Sequence, residues 1–495
     1  MIPGAPSVTA ESSPAAHCRR QGGVLLESRS AADEAIAYAR AARTRFVREL
    51  AELIRFPTVS AQPRHNPDLQ RCAMWLADHL QTIGLEHVRV VRTPGHPIVT
   101  ADWLHANRDF TLLVYGHYDV QPADPLPKWE SPPFEPQIRG GYLYGRGASD
   151  DKGQMFVHVK ALESWMRTRD SLPINVKCVF EGEEEIGSAS LQDFLSTQID
   201  AWQADAAIVS DMWMLAPGHP AITESLRGAL SVELEVTGPE HDVHSGNFGG
   251  AIHNPLQALC EIVAKLHGPR GRVAIPGFYD CVRMPTREER AEMARFGPPD
   301  RQILRAAGAE RGWGAPGFSL YERIAIRPAL SVNGLVGGYT GPGAKAVIPA
   351  RAYAKINFRL VPEQDPADID RSFRRFLKQI APSTVAISVR TLFRAHPFVL
   401  HRDDPVVRAA REALRKGFGR SPGFRAGRRN DSDRTCPPEG TGHPDHSDRS
   451  RPAGRPDAWA ERKVSSGQFL AGIEASIHLL AELEMISSEP DLARS

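Results

Sequence analysis

The chain has 495 residues, 41% of them hydrophobic, and a formal charge of +1. That length accommodates two or three domains with a large core. The near-neutral balance gives no electrostatic case for binding nucleic acid or a membrane surface, and no apolar run approaches the length that spans a bilayer.

In chain order, residues 1–29 are small and polar and are expected to be a disordered extension. Arg19, Arg20 and the short run "GVLL" are not followed by a proper apolar h-region, so no secretory signal is expected. Six cysteines at positions 18, 72, 178, 260, 281 and 436 show no metal-knuckle spacing, as reduced thiols of a cytoplasmic protein would not. Ser30 and Asp33 resemble a capping box. Ile36, Ala39, Phe46, Leu50, Leu53 and Ile54 then keep helical spacing, and "RFPTVS" ends that helix.

Three short apolar runs follow with strand character: "TLLVY" (111–115), "INVKCVF" (174–180) and "AAIVS" (206–210). Helical patterns separate them, as in an α/β sheet. Each run leads directly into groups able to bind metal. His117 and Asp119 follow the first, Glu181, Glu183, Glu184 and Glu185 the second, and Asp211 the third. Ligands of open α/β sheets bind in the crevice beyond the carboxyl ends of the strands. In "GRGASDDKGQMFVHVKALESW" a loop enters a helix near Asp150, which could cap that helix or reach into the crevice.

The pattern changes after "ITESLRG". "ALSVELEVTG", "AYAKINFRLVP" and "TVAISVRTL" alternate like strands, and "NPLQALCEIVAKLH" and "PADIDRSFRRFLKQI" have helical spacing. They predict a β-α-β-α-β layer, placing a second domain at 228–397. Its Pro/Gly/Arg-rich middle, 268–330, reads as an elaborated loop region.

One His among several carboxylates suits zinc, with manganese or cobalt as substitutes. Two metals sharing a bridging carboxylate lower the pKa of a water and clamp the oxyanion formed when it attacks a carbonyl. A Glu-Glu pair supplies one ligand and one general base. An Asp two residues beyond a ligand His holds the other imidazole nitrogen. Taken singly, each element is ordinary: an acidic turn, a helix cap, a surface His-x-Asp pair. Their joint placement after successive strands makes the case.

"GHYDVQPA", "WESPPFEPQIRGGYLYGRGASDDKGQ", "EGEEEIGS", "VSD", "HSGNFGG" and "AKAVIPARAYAKINFRLVP" occur in the order found in one family, which this chain resembles. It is the di-zinc metallopeptidase family of carnosinases and nonspecific dipeptidases, aminoacylase, acetylornithine deacetylase and carboxypeptidase G. The long "WESPPFEP…GYLYGRG" form favours the dipeptidase branch. The resemblance implies an α/β catalytic domain with a mixed central sheet flanked by helices, at 30–227 and 398–495. It implies an inserted, smaller α+β (ferredoxin-like) lid and dimerisation domain at 228–397. His117 and Asp211 would bind one zinc, Glu185 the other, and Asp150 would bridge them. Glu184 would be the general base and Asp119 would orient His117. His244 would reach the partner subunit's active site in a homodimer, and Arg359 would grip the substrate carboxylate. The implied reaction is hydrolysis of a dipeptide. An N-acyl or N-carbamoyl amino acid amidohydrolase is the alternative on the same scaffold.

The resemblance breaks between Ser421 and Lys463, a polar run without Leu, Ile, Val or Met. The family carries there a "V-R-x-G-G-T-I-P"-like segment and a further His ligand in "H-x-P-N-E". Read one base forward, the codons of Ala458 to Lys463 permit His-Gly-Pro-Asn-Glu, and those of Pro422 to Asp433 permit "PVFVR-x-GGTIP". Two motifs in order in one shifted frame point to a frameshift near codon 421 and a compensating one near codon 467. The other reading is a disordered insertion. As written, one zinc loses its only imidazole, which also leaves open a catalytically dead binding dimer. His443 and His446 are the run's own imidazoles.

Overall fold

The computed structural model describes residues 31–107, 109–427 and 463–486. The Ser30 cap, the extension 1–29, and residues 428–462 with His443 and His446 lie outside the described residues.

Five strands form a mixed central sheet in the order Glu86–Val91, Ile98–Trp103, Asn175–Glu181, Thr111–His117, Ala206–Val209. Ile98–Trp103 runs antiparallel to both neighbours, and the last three strands are parallel. Those three are the strands expected from the sequence. The two added on the far side had gone unread: "EHVRVV" is a charged edge, and "IVTADW" is too short to show a period. His117 is in register with Glu181, so the loops that leave these strands emerge side by side.

Helices cover the sheet. The helical stretch expected after residue 30 is two helices, 31–41 and Arg43–Ile54, joined at Ala42. Ile36, Ala39, Phe46, Leu50, Leu53 and Ile54 are all buried, as their spacing requires. Asn66–Thr82, Lys152–Arg169, Pro405–Phe418 and Ser466–Ile486 complete the layer. The last two pack closely: a Cβ added to Gly417 would lie 2.5 Å from the backbone nitrogen of Ala475. One core therefore unites residues 31–180 with 409–483.

A second core belongs to a four-stranded antiparallel sheet in the order Ala329–Gly337, Arg351–Leu360, Gly228–Thr237, Ala386–Ala395. Helices Pro255–Lys265 and Pro366–Ile380 supply Leu259, Ile262, Phe373 and Leu377 to that core. The expected β-α-β-α-β layer thus gains a strand, Ala329–Gly337, which begins where the expected loop region 268–330 ends. The elaborated loop region also contains helices Arg287–Phe296, Asp300–Ala307 and Leu320–Ala325. The first and third open on complete capping boxes, Thr286 with Glu289 and Ser319 with Glu322.

Both described ends of the polar run are strands. Gly423–Gly427 pairs parallel with Ala221–Leu226, and Lys463–Ser465 pairs antiparallel with Tyr142–Tyr144.

Candidate metal centre

His117 is the last residue of its strand and is fully buried. Its Nε2 faces three carboxylates: Asp150 Oδ1 at 3.5 Å, Asp211 Oδ2 at 3.7 Å and Glu184 Oε2 at 3.9 Å. Three different chain segments thus meet on one imidazole nitrogen, and that nitrogen has no hydrogen-bond partner among the described residues. The described residues place one ligand atom each from His117, Asp150 and Asp211 within 4.8 Å of one another. An orphaned buried nitrogen ringed by carboxylate oxygens beyond hydrogen-bond range is what a divalent cation fits. Asp150 reaches into the crevice, while Asp151 takes the N-cap position of helix Lys152–Arg169. The Asp151 carboxylate accepts the backbone N–H of His117 at 3.1 Å.

The other side of the imidazole is held. Nδ1 of His117 lies 3.3 Å from Asp119 Oδ1 and 3.2 Å from the Asp119 carbonyl. The Asp119 carboxylate also accepts the backbone N–H groups of Glu184 at 3.2 Å and Glu185 at 3.1 Å. One buried carboxylate therefore fixes the imidazole and the acidic loop together. Burial alone would lower the basicity of His117, but the carboxylates of Asp119, Asp150 and Asp211 around its ring raise it well above the ordinary value. Burial, and then the Asp150 charge, push Glu185 up to about 7. Carboxylates crowded this far from water call for a counter-cation.

The glutamates of "EGEEE" divide by direction. Glu181 accepts from Tyr115 Oη at 2.6 Å and Ser188 Oγ at 2.9 Å. Glu183 accepts the backbone N–H groups of His96 at 3.0 Å and Ser190 at 3.1 Å. These two brace the loop, while Glu184 and Glu185 are left for the crevice. Only glycine fits at 182, because a Cβ there would stand 2.7 Å from Tyr118 Oη. Gln121 donates to Glu185 Oε2 at 2.8 Å and to its carbonyl at 3.1 Å. Gln121 went unremarked in the sequence although it sits inside "GHYDVQPA".

The other two expected site residues lie on the second sheet unit. His244 is exposed and accepts the Gly246 backbone N–H through Nδ1 at 3.1 Å, which caps its own turn. Arg359 is half-buried on the sheet face opposite Phe358 and Leu360, in register with Ala229 and Ala329. Neither belongs to the His117 cluster.

A second group of potential ligands, Glu49, His79 and Glu163, lies among the helices. It already holds a cation: the fully buried Lys160 ammonium donates to Glu49 and to Glu163, the latter at 2.7 Å. Arg45 adds bonds to Glu49 at 2.8 Å and to Glu163 at 2.6 Å.

Residues 113–428 match the model of peptidase family M20/M25/M40. The chain belongs to this family. It is 31% identical over 398 residues to the human Beta-Ala-His dipeptidase, covering 76% of this chain and 78% of the relative. It is 31% identical over 348 residues to the Cys-Gly metallodipeptidase dug1 of Schizosaccharomyces pombe, covering 68% and 73%. The crystal structure of human carnosine dipeptidase 1 superposes with a TM-score of 0.68 at 25% identity, covering 92% of this chain and 98% of that one. The M20 family metallo-carboxypeptidase Sso-CP2 from Sulfolobus solfataricus gives 0.70 at 28% identity, covering 89% and 99%. As a metallopeptidase of this family the chain is a metal-dependent hydrolase with a mixed α/β fold.

Proposed function

We propose that the protein is a zinc-dependent dipeptidase that cleaves the peptide bond next to a free carboxylate. The observation that carries this is the His117 Nε2, unpartnered among the described residues and facing Asp150, Asp211 and Glu184, on a chain whose relatives are named a dipeptidase and a metallodipeptidase. His117 and Asp211 would hold one zinc, Glu185 a second, and Asp150 would bridge them. Bound zinc would supply Lewis acidity for the scissile carbonyl and a lowered pKa for water. Glu184 would take the proton of the attacking water and return it to the leaving amine. Asp119 would keep His117 in the tautomer whose Nε2 lone pair faces the crevice. Arg359, between two alanines in register, has the guanidinium that suits a substrate carboxylate.

The two separate apolar cores support a division into a catalytic unit, 30–227 with 398–495, and an inserted unit, 228–397. The inserted unit would serve as lid and homodimer interface. The exposure of His244 supports a role for it across that interface. None of the described helices is long and apolar enough to cross a membrane, and a cytoplasmic location is proposed.

The test is a substrate panel on metal-loaded protein, setting free-amine dipeptides against N-acetyl and N-carbamoyl amino acids. Hydrolysis of the dipeptides, abolished by chelation and restored by zinc, is expected. Turnover of only the N-substituted amino acids would assign the amidohydrolase reading instead.

A further inference from the structure

The segment that closes helix Arg43–Ile54 does more than end it. Phe56 and Leu53 present backbone carbonyls to the fully buried Lys152, whose Nζ donates at 2.7 Å and 3.0 Å. Lys152 opens helix Lys152–Arg169 directly after Asp150 and Asp151. Its stem passes 3.1 Å from where a Cβ of Gly147 would stand, so the ammonium is led along a tight path to those carbonyls. Two residues beyond Phe56, buried Thr58 donates its hydroxyl to the Tyr118 carbonyl at 2.6 Å. The Thr58 carbonyl accepts the Val120 N–H at 2.9 Å. Asp119 is therefore gripped on both sides.

One short piece of chain, residues 53–58, thus holds two separate loops. One carries His117 and Asp119, and the other carries Asp150. The 3.5 Å between His117 Nε2 and Asp150 Oδ1 joins side chains on two segments that this third segment fastens. We propose that Thr58 and Lys152 are positioning residues, which set the spacing of His117 and Asp150 for metal capture. Neither is among the groups that face His117 Nε2. The inference rests on the assignment of His117 and Asp150 as ligands.

A purely structural role would lower stability and leave the affinity of the folded protein for metal unchanged. A positioning role lowers the affinity itself. The outer partners of metal ligands are typically worth about 10- to 100-fold in affinity. Zinc affinity is measured by chelator competition on the full chain, and the absorption spectrum is recorded after loading with Co2+ alone. Thr58→Val keeps the shape and removes the donor, while Thr58→Ser keeps the donor. Thr58→Val and Lys152→Met are expected to weaken zinc about tenfold or more and to alter the Co2+ spectrum, and Thr58→Ser to bind like the parent. Should Lys152→Met not fold, the Thr58 pair decides alone. His117→Ala is the reference. If it weakens zinc while Thr58→Val binds like the parent, the positioning role is wrong and the ligand assignment stands. If His117→Ala itself leaves zinc binding unchanged, the ligand assignment fails first.

Discussion

Asp119 Oδ2 accepts the backbone N–H of Glu185 at 3.1 Å across 66 positions of sequence. The same carboxylate lies against Nδ1 of His117, so imidazole and acidic loop share one anchor. Asp119→Asn turns an amide NH2 towards a backbone N–H that a carboxylate oxygen now accepts. The expected result is a folded protein with metal affinity reduced about 10- to 100-fold. Chelator competition beside thermal unfolding reads both quantities. Unchanged affinity in Asp119→Asn would remove Asp119 from the metal centre.

His158 couples the last helix to the loop that carries Asp211. Its Nδ1 meets Ser476 Oγ at 2.9 Å, and its Nε2 meets Ser210 Oγ, next to Asp211, at 2.7 Å. Burial lowers its pKa from 6.5 to about 4. Folded protein therefore binds fewer protons here than unfolded chain between those values, and stability falls as the pH drops from 6.5 towards about 4. The full loss is about 3 kcal/mol, of which about 2 kcal/mol has gone by a pH of roughly 5. His158→Gln lacks this proton linkage. Urea unfolding at near-neutral and mildly acidic pH is expected to show the parent losing about 2 kcal/mol more than the variant. Parallel losses in the two proteins would contradict the buried neutral imidazole.

Lys160 gives the contrasting test. Its ammonium neutralises Glu49 and Glu163 in a helix-lined cluster that resembles a metal site in composition. Burial and then the Lys160 charge hold His79 down at about 4, so the imidazole there is neutral. Lys160→Met leaves two carboxylates with Arg45 as their remaining cation. Breaking such a buried group costs about 3–5 kcal/mol. Denaturant unfolding is expected to show a loss of that order, with zinc stoichiometry of the folded protein unchanged. A loss of zinc in step with Lys160→Met would mean that the wrong cluster has been taken for the metal centre.

The parallel strands and the groups at their ends were legible because each strand is a short apolar run followed within two residues by a ligand candidate, His117, Glu181 or Asp211. Asp150 was legible only as two alternatives, since a cap and a ligand look alike in "SDD"; the neighbour Asp151 occupies the N-cap position. The bracing roles of Glu181, Glu183, Thr58 and Lys152 were not legible, because their partners are backbone groups or distant side chains. The helices Arg287–Phe296 and Leu320–Ala325 were missed for a different reason. Pro, Gly and Arg around them masked two capping boxes, "TREE" and "SLYE", that were present in the sequence.

Under the proposed function, the run from Ser421 to Lys463 is where the resemblance places the remaining metal ligand. Its described ends, Gly423–Gly427 and Lys463–Ser465, pair with Ala221–Leu226 and Tyr142–Tyr144. Read one base forward, the codons of the run permit "VR-x-GGTIP" and then "HGPNE", the two motifs that the resemblance leads one to expect there. Resequencing the gene across codons 415–470 tests the shift directly. The prediction for the protein is separate. A chain translated in the shifted frame between codons 421 and 467 regains an imidazole ligand and a stretch of substrate wall. It is expected to hold two zinc ions per subunit and to hydrolyse dipeptides on the order of a hundredfold faster than the chain as written. Metal analysis and kcat/KM on the two proteins side by side give the answer. Equal zinc content and equal turnover would mean that the run as written supplies what the motif does, and the frameshift reading would fall.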